Sequence, residues 1–472
     1  MIHEELVGAP GPRERWAFAT LIDQARVLVA DAAAADAVQA RWDPAELAFG
    51  VAHGAVTVGP GVLGPILEVA GTEAEYASPL RDQHGRVPSR ANPQVVRGLE
   101  RSLPGASRTA DLWQALQRAA GPRPLRRVAA WPAGHSWAVA LSHDLDIVTG
   151  WPLFAAARWL ELLRKGEGRR AVEAVRAGLG ALGQQPVRRG VHRLLGAEER
   201  FGFRSTWFVL AGHPSLGTWL RGDVTYRAEA PGTVALIDSI RRGGHEIGLH
   251  GSFATRESTD AFAVERSRIA AITGSPPVGV RQHYLRLTPG RTLRAARTAG
   301  FEYDSTLGFA DRGGFRLGTA DVLAAWDPER LEPVGLDEVP LVWMDRALSK
   351  YQRLEDPNRW VADALDLAAT CRQAGGLWVG LWHPNVVPAL GFPGADLAFE
   401  QLLAGLGEAD PFVGTLGEMV AWRRARRGLR GSVLPDGRTV LSEAGPGRWA
   451  ATVQDEAGRL QPSVIWSEVR DG

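Results

Sequence analysis

From about residue 135 to residue 425 the chain alternates short apolar runs with amphipathic stretches of helical period, and this alternation limits the fold more than any other feature. The apolar runs are WAVALSHDLD, STWFVLAG, HEIGLHG, VGVRQHYL, YDSTLGF, VPLVWMD and LWVGLWHP. Among them lie TVALIDSIRR, FAVERSRIAAITG, RTLRAARTAG and VADALDLAATCRQAG, with LGEMVAWRRARR after the last. Short apolar runs separated by helical stretches read as buried strands of a parallel sheet, because crossover helices cover both faces. Six or more such units in a row favour a barrel or a large open sheet.

The chain has 472 residues, more than the roughly 100–200 of one ordinary domain. Residues 1–132 are expected to form an N-terminal α/β region, with helical stretches such as WAFATLIDQARVLVADAAAADAVQARW and DLWQALQRAA and no chemical motif. Residues 133–428 form the barrel. Within it, 147–201 contains WPLFAAARWLELLRK and no strand, so it reads as a helical insertion after the first strand and a candidate lid. Residues 429–472 carry short alternating runs with Asp-Gly and Gly-Pro turns, the pattern of a small β appendage.

Composition excludes several classes. A formal net charge of +1 gives no global field for nucleic acid or an acidic membrane. No apolar run of about 18 residues is present, so no membrane span is expected. The start, MIHEELVGAPGPRERW, lacks the charged-then-apolar pattern of a signal peptide, and a cytoplasmic location is expected. The single cysteine, Cys371, forms no intrachain disulfide, fits a reducing compartment and reads as a small buried hydrophobe.

In parallel α/β folds functional residues gather at the C-terminal ends of the strands. Four strand ends here carry ionisable residues: His143-Asp144-Leu145-Asp146, HEIGLHG with His245 and His250, Arg281-Gln282-His283-Tyr284, and His383 in LWHPN. Strand residues two apart share a face. Asp144 therefore pairs with Asp146, and Arg281 with His283, whereas His245 and His250 point to opposite faces and only His250 stands at the strand end. Two carboxylates, an arginine and up to three histidines converge on one mouth. One Asp with two imidazoles makes a credible open site for zinc or a similar divalent metal.

The order and content of these segments resemble the polysaccharide deacetylases, the NodB-homology group or carbohydrate esterase family 4. FRSTWFVLAG resembles the family's second strand and GGHEIGLHG its strand leading to a metal-binding His. RQHY matches an Arg-x-Pro-Tyr motif at Arg281 and Tyr284, and LWHPN a Leu-x-His motif at Leu381 and His383. The resemblance implies a distorted (β/α)7 barrel and a hydrolase that removes N- or O-acetyl groups from a glycan or glycan precursor. It implies Asp144 as base, Arg281 as the residue that orients it, His383 as acid, and Asp146 and His250 as metal ligands. The metal would be zinc, with cobalt, nickel or manganese as further candidates.

Two departures stand out. The two aspartates are one residue apart, which leaves their roles interchangeable on the sequence. The family's second metal His lies four residues after the first, where this chain has Ala254. His283, in place of the family's proline, is the candidate substitute ligand. Tyr284, Asp304, Arg316, Trp343 and Asp345 are candidate substrate contacts. Two rival readings remain: a metal-independent amidohydrolase on a small non-sugar amide, and a non-catalytic glycan-binding relative.

Overall fold

The computed structural model describes residues 1–31, 34, 37–123, 125–433, 439–442, 453–454 and 464–466. Its centre is a run of parallel strands that neighbour one another in chain order. They are β1 (Ala138–Leu145), β2 (Ser205–Leu210), β3 (Glu246–Gly251), β4 (Gly279–Gln282) and β5 (Tyr303–Asp304). Next come β6 (Glu332–Glu338), parallel to β5, and β7 (Trp343–Met344), parallel to β8 (Leu377–Leu381). β8 in turn pairs with β1. One extended segment, β6 to β7, therefore changes neighbours along its length. Val339 N–H donates to Asp304 O at 2.8 Å, and Val342 N–H donates to Val379 O at 3.0 Å. This bridging segment makes the architecture a distorted (β/α)7 barrel rather than a regular ring.

Every residue of β1 is buried, as a strand covered on both faces must be. Its alternation sorts the two faces. Ala138 and Ala140 pack in one cluster with Phe208, Val379 and Leu381. Val139, Leu141 and Leu145 pack in another with Trp207, Val209 and the surrounding helices. Asp144 continues the first set, with Ala138 and Ala140, and His143 the second.

The insertion is helical: α1 (Trp151–Arg164), α2 (Gly168–Gly180) and α3 (Pro186–Phe201). α3 is tied behind the barrel, where Glu198 bonds His143 Nε2 and Ser205 Oγ, both at 3.0 Å. α1 stands at the mouth, where Phe154 lines the central cavity.

The N-terminal region builds a second sheet from Ile2–Val7, Val29–Ala30, Val38–Trp42, Gly50–Ala52 and Ala55–Val58. The tail joins it. Arg430–Val433 runs parallel to Val29–Ala30, and Thr439–Ser442 pairs antiparallel with Arg430–Val433. Arg430–Val433, Thr439–Ser442 and Val464–Trp466 thus extend this second sheet, where their edges find partners, while Val453–Gln454 pairs with Arg127–Val128 apart from it. Trp16 Nε1–H donates to Ala324 O at 2.9 Å, one of several bonds that seat this region on the barrel. Cys371 is buried in the helix Pro357–Gln373. Among the described residues no helix is long and apolar enough to cross a membrane.

Candidate metal centre and catalytic groups

Asp144 is the last inward residue of β1, and Asp146 lies just beyond the strand. The buried Arg281 of β4 holds Asp144: Nη1 donates to Asp144 Oδ1 at 3.0 Å and to Ser142 Oγ at 2.8 Å. Its Nε and Nη2 donate to Ser305 O and Ser305 Oγ, both at 2.9 Å. The guanidinium lies 4.5 Å from the centre of the Phe208 ring. With its fork fixed on three sides, Arg281 sets the orientation of Asp144.

Asp146 is surrounded by imidazoles. His250 Nε2 lies 3.2 Å from Asp146 Oδ1, His283 Nε2 3.5 Å from the same oxygen, and His383 Nε2 3.7 Å from Oδ2. Each ring has its other nitrogen committed to an acceptor. His250 Nδ1–H donates to Arg281 O at 3.0 Å, His283 Nδ1–H to Asp223 Oδ1 at 3.2 Å, and His383 Nδ1–H to Asp345 Oδ1 at 2.6 Å. These bonds put a proton on each Nδ1 and turn all three Nε2 atoms toward Asp146, the arrangement by which His250 and His283 can present a lone pair to a metal.

The donor set fits a divalent cation. Ligand atoms of Asp146, His250 and His283 lie within 4.8 Å of one another. Asp146 Oδ1 is buried with no hydrogen-bond partner, which is costly for a carboxylate unless a cation satisfies it. Burial pushes Asp146 up, but the surrounding imidazoles of His250, His283 and His383 hold it well below its usual range. Burial lowers His250, yet Asp144 and Asp146 raise it above its ordinary value, and His383 is raised further. Burial lowers His383 too, yet the Asp345 carboxylate, with Asp146 and Asp144, raises it to about 9, so it carries a proton on Nε2 at neutral pH.

The sequence brought His283 to this centre on strand alternation, and the structure brings it there by another route. β4 ends at Gln282, and His283 opens a tight turn in which Tyr284 and Leu285 are left-handed, at φ 59° and 53°. Left-handed non-glycine residues cost about 1–2 kcal/mol each. That strain sits beside the site, where the bond to Asp223 holds the His283 ring with Nε2 toward Asp146.

Of the five candidate substrate contacts, only Tyr284 lines the cavity. Arg316 is buried and forked onto Glu75 at 3.0 and 2.6 Å, joining the barrel to the N-terminal region. Trp343 is 1% exposed and stacks with Trp378 and Trp382, because its side chain falls among the apolar residues around the barrel. Asp304 is buried and accepts from Thr306 N–H at 2.7 Å and Thr306 Oγ at 2.9 Å. Asp345 accepts from the His383 ring and, at 2.8 Å, from the His383 backbone N–H, so it positions the imidazole. The polar partners that Arg316, Asp304 and Asp345 need when buried lie within the protein, whereas the Trp343 indole N–H has none among the described residues.

The loop Gly222–Tyr226 was not singled out by the sequence. Gly222 is left-handed at φ +66°, and a Cβ there would come within 3.1 Å of Tyr284 Oη. Asp223 follows and anchors His283. Thr225 Oγ donates to Asp146 O at 2.8 Å, and Tyr226 Oη donates to Leu145 O at 2.6 Å. A Gly-Asp pair between elements reads as an ordinary turn, so its only signal was its place after the end of β2.

The site opens into a cavity of about 220 Å³. Besides the groups above, it is lined by Arg86 from the N-terminal region and by Arg346, Lys350 and Tyr351 after β7.

No protein-family model and no curated protein sequence matches the chain. Solved structures do. A Mycobacterium smegmatis protein described as a polysaccharide deacetylase is 23% identical over 63% of this chain and 93% of its own, with a TM-score of 0.42. The peptidoglycan deacetylase PdaC of Bacillus subtilis is 13% identical over 62% of this chain and 94% of its own, with a TM-score of 0.32. The chain resembles the carbohydrate esterase family 4 proteins. A pseudoenzyme of that family from Bacillus anthracis is also similar, at 10% identity over 60% of this chain and 65% of its own, with a TM-score of 0.31. At such identities the likeness concerns the fold, and the chemistry rests on the geometry above.

Proposed function

We propose that the chain is a metal-dependent hydrolase that removes acetyl groups, as amides or esters, from a sugar or glycan precursor. The observation that carries this reading is the convergence of Asp146, His250 and His283 within 4.8 Å, around a buried carboxylate oxygen with no hydrogen-bond partner. Those three side chains would hold the cation, zinc being the natural choice for one carboxylate and two imidazoles. When bound, it supplies a Lewis acid that polarises an acyl carbonyl and lowers the pKa of water.

The remaining groups have separable tasks. Asp144, fixed by Arg281, accepts the proton of the attacking water. Its Oδ2 lies 3.6 Å from His250 Nε2, so the base sits against the ligand set. His383 gives its Nε2 proton to the leaving nitrogen or oxygen, and Asp345 holds the ring for that transfer. The assignment of Asp146 as ligand and Asp144 as base follows from their partners: Asp144 is taken by a guanidinium, whereas Asp146 faces imidazole nitrogens.

The test is an acetate-release screen across N- and O-acetylated sugars, with and without chelator, on protein of measured metal content. Acetate release that a chelator abolishes and zinc restores is the expected result. His250→Ala and Asp146→Asn should lower bound metal and activity together. Normal metal content in both variants would refute the ligand assignment.

A further inference from the structure

The cavity wall away from the carboxylates is cationic, and two of its three charges, Arg346 and Lys350, have no ion-pair partner among the described residues. Arg346 follows β7 directly and leads into one turn of π-helix, Ala347–Tyr351, a rare geometry that is frequent at functional sites. That turn carries Lys350 and Tyr351. Lys350 Nζ lies 5.2 Å from the centre of the Tyr284 ring and 5.5 Å from that of Tyr351. Arg346 Nη1 donates to Ser349 Oγ at 3.2 Å, and its guanidinium lies 4.9 Å from the Phe392 ring centre. Among the described residues neither Arg346 nor Lys350 forms an ion pair.

The carboxylates nearby are already engaged. Glu161 and Glu355 pair with Arg158 and Lys165. Asp144 is held by Arg281, and Asp345 by His383. Arg86 adds a third cation. It pairs with Asp82 at 2.7 Å and donates to Tyr284 O at 2.7 Å and Tyr351 Oη at 3.1 Å. The potential is felt locally: burial, then Arg86 and Lys350, bring His84, stacked on Tyr284, down to about 4. Like charges gathered in a concave, partly desolvated wall cost free energy unless an anion meets them.

We propose that Arg346 and Lys350, with Arg86 beside them, form a subsite for an anionic group on the acylated sugar, a carboxylate or a phosphate monoester. The identity of the sugar rests on the deacetylase reading, and the anion rests on this wall alone. The inference gives the N-terminal region a part in recognition, because Arg86 comes from it. The fork of a guanidinium suits the paired oxygens of either anion, and the ammonium adds a point charge.

The experiment uses the full chain loaded with zinc. Acetate release is measured from N-acetylglucosamine, N-acetylglucosamine 6-phosphate and N-acetylmuramic acid, which separates the phosphate from the carboxylate. One anionic substrate should exceed the neutral sugar in kcat/KM by roughly 10- to 100-fold, the worth of a charged hydrogen bond. Lys350→Met and Arg346→Gln should each lower that ratio about tenfold, and Lys350→Arg should keep it. Equal rates on neutral and anionic substrates, or a variant that slows both alike, overturn the subsite.

Binding of the deacylated glucosamine 6-phosphate and muramic acid is measured by calorimetry in parallel. Binding that is lost in Lys350→Met, with no acetate released from any substrate, supports the anion subsite and removes the deacetylase reading. Acetate release without charge preference does the reverse. Neither binding nor release overturns both.

Discussion

Asp223 does not line the cavity, yet it anchors His283, the proposed substitute for the absent second metal histidine. Its Oδ1 accepts from His283 Nδ1–H at 3.2 Å, and the same carboxylate accepts from Phe253 N–H at 3.1 Å. Asp223→Asn keeps the volume and an acceptor oxygen for both bonds, so the loop should hold. What it removes is the charge. A charged hydrogen bond contributes about 1.5–3 kcal/mol and a neutral one about 0.5–1.5, so the imidazole loses roughly 1–1.5 kcal/mol of support. Zinc affinity should fall about tenfold, the lower end of the 10–100-fold range for such supporting carboxylates. His283→Ala removes a ligand outright and should weaken zinc further. Because Asp223 acts through His283, the double variant should bind zinc no worse than His283→Ala alone. The assay is competition with a chelating indicator on refolding-competent protein, with urea melts to check the fold. Additive losses in the double variant, or unchanged affinity in His283→Ala, would refute the role given to His283.

His383→Ala should lower kcat by roughly 10²–10⁴-fold while leaving metal content normal, read by steady-state kinetics and metal analysis, if His383 is the proposed acid and not a ligand. Arg316→Ala should cost about 3–5 kcal/mol in urea unfolding by stranding the buried Glu75 carboxylate, with kcat of the folded enzyme preserved. Glu265 sets a pH dependence. Burial raises its carboxyl to about 7, so the native state holds a proton that the unfolded state releases. Its contribution is complete below the unfolded value of about 4.5 and is lost as pH rises through 7, on the order of 3 kcal/mol in all. Glu265→Gln should flatten that decline in unfolding free energy measured between pH 5 and pH 8, and an unaltered slope would remove Glu265 as its source.

The barrel and most of its chemistry were written locally. A strand's period of two puts Asp144 with Ala138 and Ala140 on one face of β1 and His143 on the other, whatever the rest of the chain does. Parallel strands covered by helices leave their C-terminal ends as the place for polar groups, so the sequence alone gathers Asp144, Asp146, His250, Arg281 and His383 at one mouth. The helices of 147–201 were legible from composition in the same way.

Other features depend on which surfaces meet. Trp343, Arg316, Asp304 and Asp345 look alike in sequence, as polar or aromatic residues near strand ends, but burial gives them separate fates: core packing, an ion pair to Glu75, a bond to Thr306 and the support of His383. His283 reached the centre through a left-handed turn that strand alternation does not contain. Asp223 and Arg86 join the site from a loop and from a region about 200 residues away from Tyr284 in the chain. The sequence by itself placed the central parallel strands and the polar groups at their ends, since these follow from periodicity. It read residues 16–42 as helical where strands Val29–Ala30 and Val38–Trp42 form, and it did not show the strand Glu332–Glu338. Only the tertiary structure decided which buried charges find partners and which, like Asp146, Arg346 and Lys350, are left facing a cavity, because pairing over distance is settled by packing and not by spacing.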